Sequence, residues 1–175
     1  MPIGVFSMGV GFDGQIVHAR MHHKYIGFRS YVLAIARSYF AHVTKRLKFT
    51  IDYNVTMTST ASALSISNAP TIGKNFVLSE NAKINDGYLD CTLFSSHYAY
   101  LTNMRIKGFK HPLYSEYNKV HFLAKHIKIE GDQYAQVDGD PAIHIKPIEI
   151  SILPKQVTFL RNDDEEIELP TLPFV

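Results

Sequence analysis

The sequence predicts a mainly β protein, a two-sheet β-sandwich carrying one substantial α-helix and one short one. Three observations predict it. From Val120 to Leu160 the chain alternates short apolar-rich runs with turn residues. Leu47, Phe49, Ile51, Tyr53, Val55 and Met57 alternate with polar neighbours, the period-two pattern of a strand with one buried and one wet face. Only Gly27–Thr44 sustains a helical period over several turns.

In chain order, the opening Gly4–Gly14 reads as a strand running into a glycine-rich turn that places Asp13. Gly9, Gly11 and Gly14 match G-x-G-x-x-G, but a dinucleotide site needs an acid about 20 residues later. The next acid is Asp52, which excludes that reading. In Gly27–Thr44 the residues Phe28, Tyr31, Val32, Ile35, Ala36, Tyr39, Phe40 and Val43 recur at three- and four-residue steps and are expected to face the core, with Arg29 and Arg37 opposite. Leu47–Met57 is expected as one strand, Ala63–Ser67 as the next, and Asn68–Gly73 as a loop. Asn85-Asp86-Gly87 is a turn leading into a Tyr88–Phe94 strand. A short helix is expected from about Ser96, with Leu101 and Met104 inward and Gly108 as its stop. Strands follow at Val120–Ala124, His126–Glu130, Gln133–Val137, Ala142–Ile145, Ile148–Leu153 and Val157–Leu160. The expected organisation is one domain over 1–161 and an acidic extended tail over 162–175.

With 175 residues, 46% of them hydrophobic, the chain can bury a core without staples. It has no run of about 18 apolar residues that would span a membrane. A single cysteine, Cys91, excludes an intrachain disulfide framework, and the N-terminus lacks a secretory profile, so a cytoplasmic protein is expected. The net charge of +2 hides an asymmetry. No acid lies between Asp13 and Asp52, while Arg20, Lys24, Arg29, Arg37, Lys45, Arg46 and Lys48 all do. Asp163, Asp164, Glu165, Glu166 and Glu168 crowd the tail. Both runs suit solvated faces; the basic one also suits anionic lipid or phosphate, with a peripheral membrane location. Nucleic acid is disfavoured, because the aromatics interleaved there fall at core spacing. The nine histidines show no zinc spacing, and neither a nucleophile elbow nor a Walker loop is present.

The stretch with chemical potential is Tyr134–Pro141, where Asp138 and Asp140 flank Gly139 between alternating runs. Taken alone it is a hairpin turn. Two acids held two residues apart on a rigid turn can also share Mg²⁺, or divide the work of base and metal ligand.

Gly11-Phe12-Asp13, Tyr25–Tyr31, Asn68–Phe94 with its Asn85-Asp86-Gly87, and Val137-Asp138-Gly139-Asp140 follow one another in an order and spacing that resembles a known family. It is the C-terminal domain of the diacylglycerol kinase and sphingosine kinase superfamily of lipid kinases, especially its soluble bacterial members. The likeness runs from Phe6 to Leu160. In that family an N-terminal α/β domain binds ATP through a Gly-Gly-Asp-Gly-Thr motif, and a β-sandwich follows. The resemblance implies a structural Mg²⁺, for which Ca²⁺ can substitute, on Asp86 and the carbonyls of Lys83 and Tyr88. It also implies that Asp140 stands where the family has a glutamate that takes the proton of the lipid hydroxyl, one methylene shorter, with Asp138 aimed at metal or phosphate. No Gly-Gly-Asp-Gly-Thr occurs in this sequence. The expectation is therefore the lipid-substrate half of an ATP-dependent lipid kinase, a fragment or a stand-alone relic, inactive without a nucleotide-binding domain. The alternative is a non-catalytic module that binds lipid or protein.

Overall fold

Period-two alternation builds two antiparallel sheets that press apolar faces together, in a computed structural model that describes residues 6–21, 27–72, 76–106, 118–142 and 147–156. The larger sheet contains β1 (Ser7–Gly11), β4 (Ala63–Ser67), β7 (Leu89–Phe94), β9 (Lys119–Ala124), β11 (Ala135–Val137) and β12 (Asp140–Ala142), in the order β12-β11-β1-β4-β7-β9. The smaller contains β2 (Lys45–Ile51), β3 (Val55–Ala61), β10 (His126–Glu130) and β13 (Ile148–Ser151), in the order β13-β10-β2-β3. Two-residue strands β5 (Thr71–Ile72), β6 (Phe76–Val77) and β8 (Arg105–Ile106) form a third, minor sheet. Met8, Val10, Leu64, Ile66, Cys91 and Leu93 meet Leu47, Phe49, Ala61, Ile127, Ile129 and Ile148 between the two main sheets. Each large side chain buried there contributes about 1.5–3 kcal/mol. Two of the passages between the sheets are single-residue corners, at Ser62 and Lys125.

The outward face of the larger sheet differs in chemistry. Alternation places Ser7, Gly9, Ser65, Ser67, Asp90, Thr92 and Gln136 on it, and their polar members are all buried. Three helices gather on this side: α1 (Phe12–Met21), α2 (Phe28–Ala41) and α3 (His97–Asn103). Phe12, Ile16, Ala34, Ala63, Leu78, Phe94, Ala99 and Tyr100 form the second apolar cluster beneath them.

Four expectations are corrected. The glycine-rich segment after β1 is a helix, α1, and Asp13 lies in its first turn. Gly14 lowers intrinsic helix propensity, but contacts with β1, β11 and α2 override it. Gly11, at φ 86°, makes the strand-to-helix transition, and a Cβ there would strike the Ser62 carbonyl. Leu47–Met57 is not one strand but the hairpin β2–β3, turning at Asp52-Tyr53-Asn54, with Asp52 and Tyr53 at φ 47° and 64°. The inward seam of α2 is also shifted: Ser30, Ala34 and Ser38 are buried, whereas Val32, Phe40 and Val43 are exposed. Small residues every fourth position fit the close approach of α2 to α1. Lastly, α3 starts where expected, with the Ser96 hydroxyl accepting from the Ala99 N–H, but ends at Asn103 rather than running to Gly108. Gly108, the Val157–Leu160 strand and the 162–175 tail lie outside the described residues.

Candidate functional site

Asp138 and Gly139 form the two-residue turn between β11 and β12, at φ 49° and 90°. Val137 pairs with Asp140 across it, and Gln136 with Pro141. Asp138 is anchored to the start of β1. Its N–H donates to the Ser7 carbonyl at 2.9 Å, and its Oδ1 accepts from the N–H groups of Phe6 at 3.1 Å and Ser7 at 2.7 Å. Asp140 stands exposed on the other arm. The two acids, both exposed, therefore differ in what they touch: the Asp138 carboxylate ties the hairpin to the start of β1, and Asp140 sits on the other arm of the turn.

Gln136 supports the turn from below and is 2% exposed. Its Oε1 accepts from the Gly139 N–H at 2.8 Å, and its Nε2 donates to Asp13 Oδ2 at 3.0 Å. Burial raises the Asp13 carboxyl above its ordinary range, while hydrogen bonds from Gln136 and the Tyr100 hydroxyl oppose that rise. Burial and the neighbouring Asp13 push the Tyr100 hydroxyl well up, so it stays a donor. Space for the Asp13 carboxylate comes from Gly9, where any Cβ would run into it. On the helix side, Tyr31 Oη lies 4.0 Å from the position a Cβ on Gly139 would take. Arg20 Nη1 donates to that hydroxyl at 3.0 Å, and its guanidinium sits 4.4 Å from the ring centroid. A cation from the last turn of α1 is thereby held beside the acidic hairpin.

Asp86 lies on a separate turn. Its Oδ1 accepts from the Tyr88 N–H at 3.0 Å, closing a local loop with Lys83, Asp86 and Tyr88 exposed. That turn leads into β7 at the same end of the larger sheet as Asp138, since Ser7, Ser67 and Asp90 lie in one cross-strand row beside it. Three strand spacings put Asp138 about 14 Å from Asp90, at the start of β7. One carboxylate plus main-chain carbonyls is a donor set suited to a hard cation. Among the described residues no three or more His, Cys, Asp or Glu side chains cluster as a metal site. Cys91 is buried, its thiol pushed up mainly by burial, which leaves it inert.

Turn residues mark Asp138, Asp140 and Asp86 in the sequence. Gln136, Tyr100, Arg20 and Tyr31 carry no such mark and were missed, and Asp13 was noted as a turn residue and as part of the Gly11-Phe12-Asp13 motif, without a partner. Asp13 and Gln136 are 123 positions apart, and no local pattern marks such a pair.

The YegS C-terminal NAD kinase beta sandwich-like domain matches residues 6–161. In fold the chain is similar to the solved structure of a diacylglycerol kinase from Bacillus anthracis str. Sterne, with a TM-score of 0.55 and 20% identity over 86% of this chain and 47% of that one. Two structures of putative diacylglycerol kinases from the same organism give TM-scores of 0.59 and 0.57 at 22% and 20% identity, each over 86% of this chain and over 51% and 50% of theirs. This chain thus spans about half the length of each. No curated protein matches it.

Proposed function

The chain belongs to the family of YegS C-terminal NAD kinase beta sandwich-like domains, and on that footing we propose that it is the lipid-substrate domain of an ATP-dependent lipid kinase of the diacylglycerol kinase type. The observation that carries the proposal is the division of labour on the acidic hairpin, where Asp138 is engaged by backbone and Asp140 is presented outward. Asp140 accepts the proton of the lipid hydroxyl as the hydroxyl oxygen attacks phosphorus, a contribution of about 10²–10⁴-fold. The ATP phosphates are held by a partnering nucleotide-binding domain, because phosphoryl transfer rests on positioning and electrostatic stabilisation of those groups. Asp138 serves the geometry of the turn rather than metal or phosphate.

Asp86, with the carbonyls of Lys83 and Tyr88, would hold Mg²⁺ or Ca²⁺, whose chemistry there is to stiffen the turn entering β7. The outward face of α2 suits an anionic membrane surface. Val32, Leu33 and Phe40 are exposed on it together with Arg29 and Arg37, the pattern of a helix that lies in an interface. Among the described residues no helix is long and apolar enough to cross a membrane.

The test is reconstitution. The chain is fused to or mixed with the nucleotide-binding domain of a full-length relative and assayed for phosphate transfer from Mg-ATP to diacylglycerol in mixed vesicles. Transfer that needs both parts supports the proposal. Vesicle binding by the chain without transfer in any pairing would leave the non-catalytic lipid-binding module instead.

A further inference from the structure

We infer that Asp13 is a positioning residue for the acidic hairpin, acting through the side-chain amide of Gln136 on the Gly139 N–H; the inference rests on the reading that this hairpin carries the reactive carboxylate.

An amide side chain can sit either way round in its pocket unless its neighbours distinguish oxygen from nitrogen. Gln136 lies between a donor and an acceptor. The Gly139 N–H can only donate, and it reaches Gln136 Oε1 at 2.8 Å. Asp13 Oδ2 takes the other end at 3.0 Å, so the Gln136 NH₂ is drawn downward and its carbonyl oxygen is turned toward the hairpin. The Tyr100 hydroxyl donates to the same carboxyl and holds it in place. Gly9 leaves the room it needs. Gln136 and Asp13 are 2% and 7% exposed, so water does not readily substitute for either partner. Asp140 follows Gly139 directly. A tilt of the Gly139 peptide therefore re-aims the Asp140 carboxylate, and a misplacement of about 1 Å can cost about 10²-fold in turnover.

A polarity swap tests this. Asp13→Asn can present its own NH₂ to Gln136, letting that amide turn over and meet the Gly139 N–H with a donor. Gln136→Glu keeps an acceptor for Gly139 but sets two carboxyls against each other. The double variant D13N/Q136E restores the pattern with near-identical shapes: the amide introduced on α1 donates to the carboxylate introduced on β11, and that carboxylate accepts from the Gly139 N–H. Hydrogen exchange and the amide shift of Gly139 are read by NMR on the chain alone, and kcat and KM on the chain reconstituted with a nucleotide-binding domain. D13N is expected to lower Gly139 protection at least ~10-fold and kcat at least ~10-fold with KM little changed, Q136E to lower kcat through repulsion between the two carboxyls, and the double variant to recover both. Unchanged Gly139 protection in D13N, or a double variant no better than the singles, overturns the inference whatever the activity. Loss and recovery of Gly139 protection without transfer in any pairing would uphold the positioning of the turn and count against the kinase reading, and with it the link to catalysis.

Discussion

Gly9 and Asp138 show how much of the site depends on single atoms. A methyl group on Gly9 would occupy the space of the Asp13 carboxylate, so Gly9→Ala is expected to lower stability by about 1–3 kcal/mol in urea denaturation. An unchanged midpoint would mean that Asp13 does not fill that space. Asp138→Ala removes the acceptor for two backbone N–H groups and should cost about 1–2 kcal/mol, whereas Asp140→Asn should leave the melting temperature near wild type. Asp13 adds a pH signature. Its carboxyl is raised by burial above 3.8, so ionising it disfavours the fold. Stability relative to Asp13→Asn is then greatest below about pH 4 and declines as pH rises through the raised folded value. Denaturation midpoints of both proteins across that range check the sign, and a difference growing in the opposite sense would contradict the burial argument. The Asp-Gly-Asp turn was legible because glycine and aspartate announce it. The Asp13–Gln136 pair was not, because an ordinary strand glutamine carries no mark of a partner 123 positions away.

Among the elements, the β2–β3 hairpin is the instructive error. Its run alternates so evenly that it predicts a single strand, and Asp52-Tyr53-Asn54 lacks the glycine that announces a turn. The turn forms because Asp52 is held from outside: its Oδ1 accepts the N–H groups of Lys125 and His126, both at 2.8 Å, at the corner where the chain crosses between sheets. The Tyr53 ring stacks on His126 at 3.9 Å. One carboxylate thus fixes a hairpin and a corner together. Asp52→Ala should cost about 1–2 kcal/mol, after discounting for its exposure. Hydrogen bonds from His126 and Lys125 lower its carboxyl below 3.8, so its contribution is present above that pH and is lost as pH falls through the lowered value. The wild-type advantage over Asp52→Asn should therefore shrink on acidification, measured by thermal melts between neutral pH and about pH 2, and an advantage independent of pH would rule the interaction out. The short helix α3 was legible in its start, because Ser96 is a strong N-cap residue, and illegible in its end, where tertiary contacts decide. The α2 seam of Ser30, Ala34 and Ser38 was missed for a related reason, since hydrophobic periodicity favours large residues and this seam is built from small ones.

At the scale of the whole molecule, the sandwich was legible from period and turn spacing, and its three-helix cover only in part. Both candidate turns lie at one end of the larger sheet, where a nucleotide-binding domain could present ATP to the hairpin. The chain alone is expected to fold without binding Mg-ATP at micromolar affinity, which isothermal titration checks; micromolar binding would require a nucleotide site on this chain itself. If a cation stiffens the Asp86 turn, chelation should lower the wild-type melting temperature and leave Asp86→Ala unaffected, and equal behaviour of the two proteins would remove the metal from the account. The most direct measurement is the turnover of Asp140→Asn and Asp140→Glu in the chain reconstituted with a nucleotide-binding domain. The account predicts at least ~10²-fold loss for Asp140→Asn with its melting temperature preserved, and a tolerated or improved rate for Asp140→Glu. Full turnover in Asp140→Asn would contradict it.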